Sequence, residues 1–355
     1  MKEIFPVETR SWWQHPWLFC VRLDEVAVLQ GTPLIGFAFA HYRAGQGLPW
    51  SDALAVLAAV VCASVSLVAH IVVLNDWAGI DSDLKDPGRR ARTFLSLGVT
   101  RRAMWWLAQF FAVSGLVVAA HLGAPALWIA AGMLATSAIY SAPPLHLKSA
   151  PVAGSLLHLV GGSLHFLLGY LAIAPLDFPS VIFACYFGVV FAAGHLMHEV
   201  RGHDADLANG IRTNAVAFGR KVTFISALAL FSLAYLLLAV CSALVQHWGL
   251  VCLSAGTYGL HVVKSWHALR SKLELHSMLQ LQSQYRFNFA VIGIALLATF
   301  TQPSIRGVLS SVADQKPVQQ SQGLGDAPGG RVQERLYPRF EKLQFDLVLG
   351  GLPLV

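Results

Sequence analysis

Nine apolar runs, each close to the length of a membrane crossing, are spread along the chain near residues 27–42, 53–74, 103–121, 124–142, 152–174, 179–198, 222–245, 249–267 and 287–303. A helix needs about 20 residues to cross a hydrocarbon layer of about 30 Å, and inside that layer it must satisfy its own backbone groups. The pattern therefore predicts an all-α membrane protein of about nine transmembrane helices. Composition agrees: 55% of residues are hydrophobic and 12% charged, roughly half the charged share of a soluble domain, too few to cover a water-facing globule.

Outside the runs lie two segments of other character. Residues 1–25 read as an interfacial segment, because Trp12, Trp13 and Trp17 suit the aromatic belt at headgroup level. Residues 26–303 hold the transmembrane domain. Residues 304–355, with QKPVQQSQGLGDAPGGR, are rich in Pro, Gly and Gln and predict a disordered tail. The five cysteines form no CxxC pair and no metal spacing, so they read as small apolar residues.

Basic residues follow the topology that the runs define. Arg22 precedes the first run, Arg89, Arg90 and Arg92 follow the second, and Lys148, Arg212 and Arg270 continue the series on the same side. Between spans on the opposite side only Arg43 stands. The positive-inside rule turns this asymmetry into a cytoplasmic N-terminus and a cytoplasmic polar cap. The formal charge of +6 is thereby used for orientation and anion capture, and no nucleic-acid-binding motif is visible.

Three polar constellations stand on that side. The first is NDWAGIDSD, residues 75–83, directly after the second run. At about 100° per residue, Asp83 returns to within about 20° of Asp76 and about 80° of Asn75, so their oxygens can converge on one ion. Such a set suits magnesium, which takes one or two carboxylates, keeps waters and shares substrate phosphate oxygens. The plainer alternative is a solvated acidic and basic loop end.

The second is HEVRGHDADLANGIRTNAVAFG, residues 198–219, after the sixth run. Glu199 and Asp206 are again seven apart, and Asp204 and Arg212 complete a cluster in which acids could hold metal and the arginine could meet phosphate. HEVRGH does not offer the zinc-protease pair, because its histidines are five apart where one helical face needs four. His158, His165 and His195 sit inside apolar runs and read as hydrogen-bonded core groups. The third constellation is YSAPPLHLK, residues 140–148, where a proline pair ends the fourth helix. It sets Lys148 at the polar face with Tyr140 just below; alternatively the prolines are a plain loop break and Lys148 an orientation signal.

Together these segments resemble the UbiA superfamily of intramembrane prenyltransferases, whose first motif reads NDxxDxxxD and whose second contains DxxxD. Asn75, Asp76 and Asp83 match the first; Arg92, YSAPPLHLK, the stretch around Arg212 and the opening Arg22-Leu23-Asp24 are similar to further family segments. Two positions depart from the pattern. Gly79 replaces the second acid of the first motif and Gly202 the first acid of the second, and Asp81, Asp204 or Glu199 could stand in for them.

The resemblance implies a UbiA-like bundle with a polar cap over an apolar chamber, and transfer of a prenyl group from an isoprenoid diphosphate to an aromatic or other lipophilic acceptor within the membrane lipid. It implies Mg²⁺ held by Asn75, Asp76, Asp83 and Asp206, with Asp81 and Asp204 in support. Lys148, Arg92, Arg212 and Arg22 would meet the diphosphate. Asp76, Asp83, Asp206, Lys148 and Tyr140 would carry the chemistry, with Tyr140, Trp77 or Phe166 offering a ring to a carbocation. A terpene cyclase of the same superfamily and a non-catalytic lipid-binding descendant remain open as alternatives.

Overall fold

Strongly helix-forming Ala and Leu fill the apolar runs, and each run lies on helix in the computed structural model, which describes residues 16–44, 50–85, 90–91 and 93–313, the side chains of 50, 51 and 302–313 excepted. In chain order the helices are α1 (Pro16–Val21), α2 (Leu23–Leu29), α3 (Gly31–Ala44), α4 (Trp50–Asp83), α5 (Arg101–His121) and α6 (Ala124–Ser141). Then come α7 (Ala153–Tyr170), α8 (Phe178–Ala208), α9 (Asn214–Phe218), α10 (Arg220–Leu244), α11 (Trp248–Arg270) and α12 (Leu275–Ala313). No strand occurs among the described residues. Trp12 and Trp13, Arg92 and residues 314–355 lie outside those described. Helix α12 continues ten residues past the boundary placed at 303.

Local chemistry starts and stops these helices. Thr100 caps α5, its hydroxyl accepting from Ala103 N at 3.1 Å. Asp177 caps α8 in a reciprocal box with Ser180 and pairs with Arg43 at 2.9 Å. Burial would raise the Asp177 carboxyl, but hydrogen bonds from Ser180, Tyr170 and Arg43 outweigh it and hold the group below its ordinary range. Helix α6 ends just before Pro143 and Pro144, as the proline pair requires.

Sequential long helices pack on one another, α7 on α8, α8 on α10 and α4 on α5, while α3 lies against α7. Small residues set the closest crossings. A Cβ built on Gly36 would stand 2.2 Å from Phe166 O, and one on Gly169 would stand 2.0 Å from Pro33 O, so only glycine allows α3 and α7 to touch. Around that crossing Phe39, Phe166, Tyr170, Phe183 and Phe300 form an aromatic core.

Among the described residues, five helices are long and apolar enough to cross a membrane: Asp52–Asp83, Arg101–His121, Ala124–Ser141, Phe178–Ala208 and Arg220–Leu244. Two of them exceed the need. At 34 residues α4 is about 51 Å long, and at 31 residues α8 is about 46 Å, against about 30 Å of hydrocarbon. The surplus of each is its last turns, which carry the first and second acidic motifs.

Candidate active site at the polar ends of α4, α6 and α8

The last turns of α4 remain helical although they are polar, because solvated side chains leave the backbone ladder intact. Their acids diverge. Asp76 receives the Arg22 guanidinium, which also reaches Glu25 at 3.4 Å from a left-handed backbone (φ 49°) between α1 and α2. Asp83 lies close enough to Asp76 for the two carboxylates to repel. Asp81 turns the other way: 71% exposed, it pairs with Arg101 at 3.2 Å. Arg101 sits 5.2 Å over the Trp77 ring, and Trp77 packs on Trp105 with centroids 5.0 Å apart. Asn75 Oδ1 is buried with no hydrogen-bond partner among the described residues.

The proline-pair segment then crosses to α4. Lys148 sits in a short 3-10 turn, Leu147–Ser149, entered through left-handed His146 (φ 42°). A Cβ built on Gly79 would stand 3.1 Å from Lys148 Nζ and 3.7 Å from Asp83 Oδ2, so the ammonium lies over the glycine beside that carboxylate. Tyr140, at the end of α6, faces α7 and α8 instead. Its ring meets His158 edge-on at 5.0 Å and His195 at 6.1 Å, and those two imidazoles stack at 3.9 Å. Glu199 and Asp206 both lie within electrostatic reach of Tyr140.

At the end of α8 the acids again divide. Glu199, only 3% exposed, accepts from Asn214 Nδ2 at 2.8 Å and Asn214 N at 3.1 Å, and stands 3.1 Å from His195 Nε2. Asn214 in turn accepts from Val152 N at 2.7 Å and reaches Ser155 Oγ at 3.2 Å, tying α7, α8 and α9 together. Asp204 is 82% exposed and faces His203 at 2.8 Å and Arg220 at 3.6 Å. Asp206 accepts from Thr213 Oγ1 at 3.4 Å, with its carboxylate over Gly202. Arg212 is exposed in the loop that follows.

Of the residues singled out in the sequence, Lys148 and Asp83 border Gly79, Asp83 lies near Asp76, Arg22 pairs with Asp76, and Asp206 lies within electrostatic reach of Tyr140. Asp81 and Asp204 point to partners of their own. Phe166 is fully buried in the aromatic core and Trp77 is engaged by Arg101, which leaves Tyr140 as the ring beside the acids. Sequence reasoning missed the network of His158, His195, Glu199 and Asn214 as a unit. One signal was available: His195 and Glu199 are four apart on one helical face.

Asn214→Ala removes two hydrogen bonds from a buried carboxylate, and is expected to cost about 2–4 kcal/mol of stability, read as a lower unfolding midpoint in detergent. An unchanged midpoint would show that Glu199 does not depend on those donors.

Long apolar helices with charged residues at their ends are those of a helical bundle able to span a membrane. The model of the UbiA prenyltransferase family matches residues 32–279, and the chain belongs to that family. Solved structures share the fold. A UbiA homologue from Archaeoglobus fulgidus bound to DMAPP and Mg²⁺ is 16% identical over 80% of this chain and 99% of its own, with a TM-score of 0.60. A UbiA homologue from Aeropyrum pernix K1 in its apo form is 18% identical over 80% and 99%, also at 0.60. A digeranylgeranylglyceryl phosphate synthase structure is 17% identical over 81% and 98%, at 0.63. Comparison with curated proteins found no match.

Proposed function

We propose that this chain transfers a prenyl group from an isoprenoid diphosphate to an aromatic or other lipophilic acceptor inside the membrane, with magnesium as its cofactor. The reading rests chiefly on the Tyr140–Lys148 segment, which joins the two acidic helix ends: Lys148 lies against Gly79 and Asp83, and Tyr140 against His195 and the Glu199 and Asp206 charges. Family membership and the Archaeoglobus fulgidus homologue bound to an isoprenoid diphosphate support the substrate class.

The donor set fits magnesium. Asn75, Asp76, Asp83 and Asp206 offer only oxygen, and the buried Asn75 Oδ1 has no protein partner among the described residues. Among those residues no three His, Cys, Asp or Glu side chains form a ready-made cage, so an ion held there would have to complete its shell from water and phosphate. When bound, the ion would add positive charge beside the leaving diphosphate oxygens.

The chain's own residues do the rest. As the C1–O bond of an allylic diphosphate breaks, its electron pair leaves with the diphosphate, whose growing charge Lys148 and Arg212 meet more strongly in the transition state than before it. Arg22 holds Asp76 in place, and Arg92 stands in the same basic set by sequence. Tyr140 presents its ring to the allylic cation. The acceptor's electron pair closes the new bond to C1 and its proton departs. In this reading residues 26–303 form the catalytic domain, α3 to α8 and α10 to α12 make nine crossings, and the polar cap and N-terminus face the cytoplasm.

Detergent-purified protein given farnesyl or geranylgeranyl diphosphate and Mg²⁺ tests this directly. Diphosphate release that requires an added acceptor is expected. A hydrocarbon product without acceptor would replace the transferase with a cyclase, and no release with any acceptor would leave a non-catalytic lipid-binding protein.

A further inference from the structure

Each acidic motif carries glycine where the family pattern has a carboxylate, at Gly79 and Gly202, and the acids nearest in sequence are not placed to make good the loss. Glu199 is buried against His195 and Asn214. Asp204 faces His203 and Arg220, and Asp81 faces Arg101. What lies over Gly79 is a cation. The 3.1 Å between a built Cβ and Lys148 Nζ is tighter than ordinary contact, so a side chain at 79 would push the ammonium off by a few tenths of an ångström. At Gly202 the same construction meets Asp206 Oδ2 at 3.5 Å, an ordinary contact distance. The two glycines therefore differ: one seats a positive charge, the other does not.

A divalent ion over Gly79 would find no carboxylate on that residue and a like charge close by. Charges of one sign at about 4 Å repel strongly even at the effective dielectric of a protein surface. Asp83 borders the same space, its Oδ2 3.7 Å from the built position. Resting on the functional reading above, we propose that Lys148 seated over Gly79 fills the space any second divalent cation would need, so that the diphosphate is gripped by one metal ion and one fixed ammonium.

Two measurements on the detergent-purified chain test this, with geranyl S-thiolodiphosphate as the unreactive probe. Electron paramagnetic resonance of Mn²⁺ is expected to count one bound ion per chain in the presence of the probe; two ions with the probe bound would overturn the inference alone. In EDTA the wild type is expected to retain measurable affinity for the probe. Lys148→Gln, which keeps a polar side chain one methylene shorter but removes the charge, should weaken that metal-free binding by at least about tenfold, the worth of a charge-assisted contact. Gly79→Asp should do the same with Lys148 intact, because the new carboxylate ties up the ammonium, so the result does not hang on one variant folding. Wild-type affinity in EDTA for either variant would overturn the inference. No probe binding even with Mn²⁺ would overturn the functional reading and this inference with it.

Discussion

Asp83→Ala and Asp206→Ala are each expected to lower magnesium-dependent prenyl transfer by about a hundredfold or more, the scale of losing one preorganised electrostatic contact to a transition state. The two residues stand on different helices, α4 and α8, with Lys148 near the first and Tyr140 within electrostatic reach of the second. A loss in both would mark one composite site. Asp81→Ala and Asp204→Ala offer the contrast. Their carboxylates are mostly exposed and face Arg101 and Arg220, so they are expected to cost less than about tenfold, as solvent-screened charges do. Parental rates for the Asp83 and Asp206 variants, measured as diphosphate release in purified membranes, would remove both residues from the site.

The second large effect concerns stability. Gly169→Val is expected to destabilise the bundle by about 3 kcal/mol or more, because its Cβ would lie 2.0 Å from a backbone oxygen that cannot rotate away as a side chain does. Gly36→Val should behave alike from the facing helix, where Phe166 O is 2.2 Å from the built Cβ. Gly161→Ala, on the same helix α7 with nothing within 4 Å, is the control and is expected to be neutral or mildly stabilising. Equal unfolding midpoints in detergent for Gly169→Val and the parent would mean that α3 and α7 do not cross as closely as described.

Much of this architecture was legible from hydropathy, because an apolar run long enough to span hydrocarbon has few other uses. The ends were not. The second run stops at 74 and the sixth at 198 by apolar content, yet α4 continues to Asp83 and α8 to Ala208, since polar residues interrupt hydropathy without interrupting backbone hydrogen bonds. The sequence reading sets Asp81 beside the ion, but five residues from Asp76 amount to about 140° of rotation, and Asp81 faces α5. Lys148 over Gly79 had no local signal, because it depends on how a loop after α6 folds back on α4. Asn214 beneath Glu199 is the same case, the first residue of α9, fifteen positions away, whose amide fits only once that short helix is set.

The spare length of α4 and α8 bears on how a substrate arrives. An isoprenoid diphosphate is itself half lipid and half salt, and it rests in a leaflet with its chain among the acyl tails and its head in the ionic layer. A protein whose acids ride on helix extensions beyond the apolar span meets that molecule at its resting depth. On the proposed function, loading is expected to proceed sideways out of the leaflet, with occupancy set by crowding per unit of membrane area instead of concentration in the surrounding water.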